Sequence, residues 1–92
     1  MIKSFRHKGL RRLFETGETR GVPGKFARRI EMMLDSIDAS EHPLDLRKPG
    51  FNLHQLKGNR KGTWAISVTG NLRITFSYIA DGASDIDLED YH

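Results

Sequence analysis

Apolar residues follow two different periods along this chain. Within His7–Thr16, Leu10, Leu13 and Phe14 share a helical face, Lys8, Arg11 and Arg12 point elsewhere, and Gly17 is a natural stop. After Pro23, which suits a first helical turn, Phe26, Ile30, Met33, Leu34 and Ile37 repeat at helical spacing, with Arg28, Arg29, Glu31 and Asp35 on the other side. The Met32-Met33 pair reads as core filler. Ser40–Gly50, with Pro43 and Pro49-Gly50, reads as loop. Met1–Phe5 has the makings of a short strand.

Beyond Gly50 the period shortens to two. Phe51–Leu56, Thr63–Val68, Leu72–Tyr78 and Ser84–Tyr91 are expected strands, with a turn over Gly58–Gly62. The loop length between the second and third strands decides which side chains share a face. A two-residue loop, Gly70-Asn71, would set Trp64, Ile66 and Val68 opposite Arg73, Thr75 and Ser77. A three-residue loop, Thr69–Asn71, pairs Val68 with Leu72, Ile66 with Ile74 and Trp64 with Phe76. The second register is expected, because it gives one wholly apolar face and one polar face, as a sheet covered on one side requires. Arg73 then stands on the open face beside Ser67 and Thr75. The expected architecture is α+β: one domain over residues 1–92, with two N-terminal helices packed on one face of a small, mostly antiparallel sheet.

Length and composition narrow the chemistry. A 92-residue chain buries about two-thirds of its unfolded surface, so an active surface must be built on one face of a modest core. There are no cysteines, which excludes disulfides, a thiol nucleophile and a Cys-based zinc site, and suits a reducing compartment. The first residues carry no apolar run of signal-peptide or membrane-span length, so a soluble, cytoplasmic protein without a membrane partner is expected. Fifteen basic and seven acidic side chains in residues 1–80 give that stretch a charge of +8, and the five acidic residues after it give −5. A basic body attracts phosphate backbones. Charge alone does not separate a nucleic-acid binder from a merely basic protein.

No Gly-rich phosphate loop and no Ser–His–Asp arrangement is present. Asp85, Asp87 and Glu89 could share a strand face, but without a histidine partner or glycine-rich loop they read as a solvated face and not as a metal site. His7, at a helix start, and His42, in a loop, read as surface residues. His54 lies mid-strand between Leu53 and Leu56, beside Lys57-Gly58-Asn59-Arg60-Lys61. Taken by itself it reads first as a half-buried strand histidine with a hydrogen bond, since most histidines are structural, and only second as a proton-transfer group. Asp90, Tyr91 and His92 set a carboxylate, a phenol and an imidazole side by side, although adjacent strand residues alternate faces.

Three separated blocks carry a resemblance that runs nearly end to end. The first is Ile2-Lys3-Ser4-Phe5 with His7-Lys8-Gly9-Leu10, Leu13-Phe14 and the helix within Lys25–Asp38. The second is Leu53-His54-Gln55-Leu56-Lys57-Gly58-Asn59-Arg60-Lys61-Gly62-Thr63-Trp64 followed by Asn71-Leu72-Arg73-Ile74-Thr75-Phe76. The third is Glu89-Asp90-Tyr91-His92. In these the chain resembles the HigB toxins, a branch of the RelE-like superfamily. Leu72 departs from the pattern, standing where members often carry Trp.

The resemblance implies a ribosome-dependent endoribonuclease that cuts messenger RNA in the decoding site, held inactive by a small HigA-like helix-turn-helix antitoxin. It implies catalytic roles for His54, Asp90, Tyr91 and His92, and basic positions near the phosphate at Lys57 and Arg73, with Arg60 and Lys61 alongside. Such chemistry needs a base for the 2′-hydroxyl, an acid for the departing 5′-oxygen and cations for the phosphate, and it calls for no metal and no cofactor. His54, Asp90 and His92 would share the proton transfers, and Tyr91 would orient or stack on the RNA. Two other readings use the same face: a nucleic-acid-binding module without cleavage, and an interaction protein whose partner is the antitoxin.

Overall fold

The first helix begins where His7 can cap it. His7 is extended, and its Nδ1 accepts the Leu10 N–H at 3.1 Å, satisfying an amide that has no partner inside the helix. The computed structural model, which describes residues 1–80 and 82–90, places helix α1 at Lys8–Thr16. The helix stops at Gly17, whose φ of 81° is cheap only for glycine, and the Gly17 N–H closes on the Leu13 carbonyl at 2.9 Å. A 3-10 turn at Gly24–Phe26 leads into helix α2, Ala27–Ala39. A Cβ on Gly9 would lie 2.1 Å from the Gly21 carbonyl oxygen, so α1 and the approach to α2 meet through two glycines.

Four strands follow in spatial order as in sequence, each antiparallel to its neighbour: β1 His54–Gln55, β2 Thr63–Ser67, β3 Leu72–Ile79 and β4 Gly82–Asp90. Trp64 pairs with Phe76, Ile66 with Ile74 and Ser67 with Arg73, the register of the three-residue loop. The apolar face meets the helices. Leu10, Leu13, Ile30, Met33, Leu34 and Ile37 from the helices pack with Ile66, Ile74, Phe76 and Ile86 from the sheet, all essentially without solvent contact. Each such side chain contributes roughly 1.5–3 kcal/mol by leaving water. The α+β architecture expected from the sequence is therefore present.

Several details differ from expectation. The strand expected over Phe51–Leu56 shrinks to two residues because Asn52 adopts φ 50°, although the Phe51 carbonyl still accepts the Ser67 N–H at 2.8 Å. Met1–Phe5 is not a full strand. It touches β4 through two parallel bridges, Ile2 to Ala83 and Phe5 to Ile86. The segment expected as loop contains a 3-10 turn, Pro43–Leu46, whose cap is His42: Nδ1 accepts the Leu44 N–H at 3.1 Å while Asp45 accepts the His42 N–H at 3.1 Å. His7 and His42 are thus capping residues. Met33 is buried but Met32 faces solvent, so only half of that pair fills the core. No helix among the described residues is long and apolar enough to cross a membrane.

β4 carries a bulge. Thr75 pairs with Asp87 and Ser77 with Ser84, so Asp85 and Ile86 together oppose Phe76. Asp85 adopts φ 54°. The amides this irregularity withdraws from the ladder are taken up by Ser4: the Asp85 N–H donates to Ser4 Oγ at 2.8 Å and the Ile86 N–H to the Ser4 carbonyl at 3.1 Å. Asp85, Asp87 and Glu89 consequently do not form one row. Asp87 and Glu89 share the polar face, and Asp85 swings out at the bulge. Since a β-branched residue in left-handed backbone costs about 1–2 kcal/mol, Asp85→Val is expected to lower the melting temperature by roughly 4–16 °C. Asp85→Gly should leave it level or raise it slightly. Thermal denaturation followed by circular dichroism checks both, and equal melting of the two variants would contradict the bulge.

Candidate active site

The polar face of the sheet is organised in rows set by register. His54, Ala65, Thr75 and Asp87 form one row, and Ser67, Arg73 and Glu89 form the next. The structure therefore brings His54 and Arg73 to one face, as strand alternation requires.

His54 is held by its own loop. Its Nδ1 lies 2.8 Å from the Asn52 carbonyl oxygen. A carbonyl only accepts, so Nδ1 carries the hydrogen, and Nε2 is the nitrogen through which this imidazole can exchange a proton. The left-handed conformation of Asn52 delays the start of the strand and belongs to the turn that supplies this carbonyl, while Asn52 Nδ2 donates to Ser67 Oγ at 3.3 Å. His54 is thus a half-buried strand histidine whose ring is oriented by a hydrogen bond.

Glu89 is the centre of the face, and sequence reasoning missed it. Arg60 donates through both terminal nitrogens, Nη1 to Oε1 at 2.8 Å and Nη2 to Oε2. Arg73 donates to Oε1 from Nε at 3.3 Å and from Nη2 at 3.1 Å. Thr75 Oγ1 donates to Oε2 at 3.0 Å. The Arg60 hydrogen bonds, followed by those of Arg73 and Thr75, hold the Glu89 carboxyl at about 2 against an ordinary value of 4.5, outweighing the opposing effect of burial. The same carboxylate raises the Arg60 guanidinium above its ordinary value.

The basic positions divide accordingly. Lys57 and Lys61 flank the 3-10 turn Gly58–Arg60 and are exposed. Arg60 is half-buried, its side chain 38% exposed, and Arg73 is only 13% exposed. Arg73 lies on the expected face, but against Glu89 instead of open to solvent. Asp90 pairs with Leu72 and so alternates away from Glu89, and its Oδ1 accepts from Asn71 Nδ2 at 3.0 Å at the hairpin end. Its carboxylate is not brought into the His54 and Arg73 rows. Tyr91 and His92 lie outside the described residues. No group of three or more His, Asp or Glu able to hold a metal ion occurs among the described residues.

A family model described as the RelE-like toxin of the type II toxin–antitoxin system HigB matches residues 3–92. The chain belongs to this HigB-like toxin family. It is 48% identical over 92 residues, all of both chains, to a Proteus vulgaris protein named Endoribonuclease HigB. Two solved structures from Helicobacter pylori share the fold. One is a copper-bound mutant toxin, with TM-score 0.54 and 19% identity, covering 98% of this chain and 94% of the other. The other is a conserved hypothetical protein in solution, with TM-score 0.55 and 17% identity over the same shares.

For this HigB-like chain the Glu89 cluster sets an acid limit on stability. Folding depresses the Glu89 carboxyl, so its contribution is complete above about pH 4.5 and disappears as pH falls toward 2. Allowing for the solvent that reaches the pair, that contribution is on the order of 1–2 kcal/mol. Glu89→Gln should therefore be less stable than the parent at pH 7 and lose less stability on acidification to pH 3. Because Arg73 is tucked against that carboxylate, Arg73→Ala should also lower the melting temperature, more than Lys57→Ala or Lys61→Ala. Melting curves across pH 2.5–7 test this, and parallel curves for parent and Glu89→Gln would contradict it.

Proposed function

We propose that this chain is the messenger-RNA-cutting toxin of a toxin–antitoxin pair, acting in the decoding site of the ribosome. The observation that carries this reading is the juxtaposition on one open face of an oriented histidine, His54, with two arginines fixed by Glu89. The identity to Endoribonuclease HigB over the full length of both chains supports it.

The chemistry balances without a metal ion or cofactor. The 2′-hydroxyl oxygen attacks the adjacent phosphorus as a base removes its proton. A bond to phosphorus forms, the bond to the 5′-oxygen breaks, and an acid protonates that oxygen as it leaves. His54 Nε2 is suited to one transfer and His92 is proposed for the other, while Asp90, at the hairpin end and outside the His54 and Arg73 rows, is the remaining carboxylate of the chain end. Tyr91 orients or stacks on the RNA. Arg73 and Arg60 have guanidiniums already held in place, so they meet charge growing on the phosphate without reorganising, and Lys57 and Lys61 add mobile positive charge at the rim.

The ribosome enters because this face offers few groups to position a flexible RNA, while the +8 body suits a phosphate-rich partner. On this reading the activity is cytoplasmic, with a HigA-like helix-turn-helix antitoxin as the restraining partner.

Purified protein is expected to leave free messenger RNA largely intact and to cut it on programmed ribosomes. His54→Ala and His92→Ala should each slow cleavage by about 10²–10⁴-fold, the usual worth of a general acid or base, while still binding the antitoxin in a pull-down. Efficient cleavage of free RNA at low enzyme concentration would overturn the dependence on ribosomes. Cleavage within about threefold of the parent, under roughly 1 kcal/mol of barrier, would remove the substituted histidine from the chemistry.

A further inference from the structure

A second feature of the polar face lies beyond the His54 row. A cavity of about 190 Å³ opens where β2 and β3 continue past Thr75, lined by Arg6, Asn59, Arg60, Thr63, Ser77 and Asp85 among others. Arg60 belongs to both places: it lines this cavity, and Glu89 grips its two terminal nitrogens. The cavity is lined by Thr75 of the His54 row and by Thr63 and Ser77 of the adjacent row, and it shares a wall with the arginine cluster.

Asp85 reaches the cavity because of the bulge. It is a non-glycine residue at φ 54°, exposed, and stabilised in that conformation by Ser4. Bulges re-aim side chains beside functional sites, and left-handed backbone at a residue other than glycine persists where the surroundings enforce it. The conformation sends a carboxylate to the rim of a cavity whose other charged members are arginines.

The lining selects its ligand. A bare phosphate would suit Arg6 and Arg60 but would meet the Asp85 carboxylate, which repels it. An apolar group would leave the amide of Asn59 and the hydroxyls of Thr63 and Ser77 without partners in place of water. A nucleobase satisfies both kinds of group, since it carries donors and acceptors on its edges, and its flat face can lie against a guanidinium plane. Guanine matches best: its N1–H and N2–H donate together to a carboxylate, and its O6 and N7 accept together from an arginine.

We propose that this cavity is a binding subsite for one guanine base of the RNA, close to the bond that is cut, with Asp85 reading the base's donor edge. The proposal rests on the polar face being the RNA-cutting face, and its first test does not depend on cleavage. The ¹⁵N-labelled full-length protein is titrated with GMP, AMP, CMP, UMP and inorganic phosphate while backbone amide shifts are followed. GMP is expected to move the amides of Asn59, Thr63, Ser77 and Asp85 at the lowest concentration. Asp85→Asn, which keeps a side chain tolerant of left-handed backbone, should weaken GMP about tenfold, the loss of one bidentate base contact, with phosphate binding unchanged or tighter. Phosphate producing the same shifts as GMP, or no nucleotide moving the cavity amides, would overturn the proposal. Mapping of cut ends on programmed ribosomes separates the two readings. A parent protein that cuts nothing contradicts the proposed function, whereas a parent and an Asp85→Asn variant that cut with identical base preferences at every flanking position contradict the guanine subsite alone.

Discussion

The Glu89 carboxylate holds the polar face together. It joins residues 29 and 16 positions away in sequence, Arg60 in the β1–β2 connection and Arg73 in β3, and adds the Thr75 hydroxyl. Two guanidiniums that would repel each other converge on one anion, and the cluster keeps a net positive charge. The β1–β2 connection is thereby fixed over the sheet, with Lys57 and Lys61 at its two ends. Long basic side chains lose much freedom when they bind a phosphate. Here two of them have already lost it, which is the condition for stabilising charge without rearrangement.

The opposite face supplies the rigidity this requires. α1 and α2 cover the sheet with side chains that exclude solvent almost completely, and the hairpin register commits Trp64, Ile66, Ile74 and Phe76 to that side. Everything of the other parity is then available for polar work. The bulge in β4 complicates this by design of its backbone: it keeps Ile86 in the core, leaves Asp87 and Glu89 aligned with Thr75 and Arg73, and turns Asp85 outward.

Much of this was legible in the sequence where a pattern had a single physical solution. Only one loop length at Thr69–Asn71 gave an apolar face to bury, so the pairing of β2 with β3 and the placement of Arg73 followed. Two helices with one apolar stripe each left little choice of architecture. His54 and the basic connection were visible as chemistry, and the resemblance weighted His54 toward a functional role. Glu89 was not visible, because simple alternation grouped it with Asp85 and Asp87 as a solvated row. Seeing it as the partner of Arg73 requires knowing where the bulge falls, and that depends on Ser4, more than eighty residues away. The shortened β1 was hidden for a similar reason: Asn52 leaves the strand to present its carbonyl to His54, a tertiary demand that strand propensity does not record. Met32 stands at the margin of the α2 stripe, where helical spacing alone does not decide burial.

The proposed function lays the message on the open face bearing His54, Arg60 and Arg73. The most direct measurement is photo-crosslinking of the protein to a 4-thiouridine-labelled message on programmed ribosomes, with the attached peptides identified by mass spectrometry. Crosslinks are expected in the β1–β2 connection, on β3 around Arg73 and on β4. Crosslinks confined to the outer surfaces of α1 and α2 would contradict that placement.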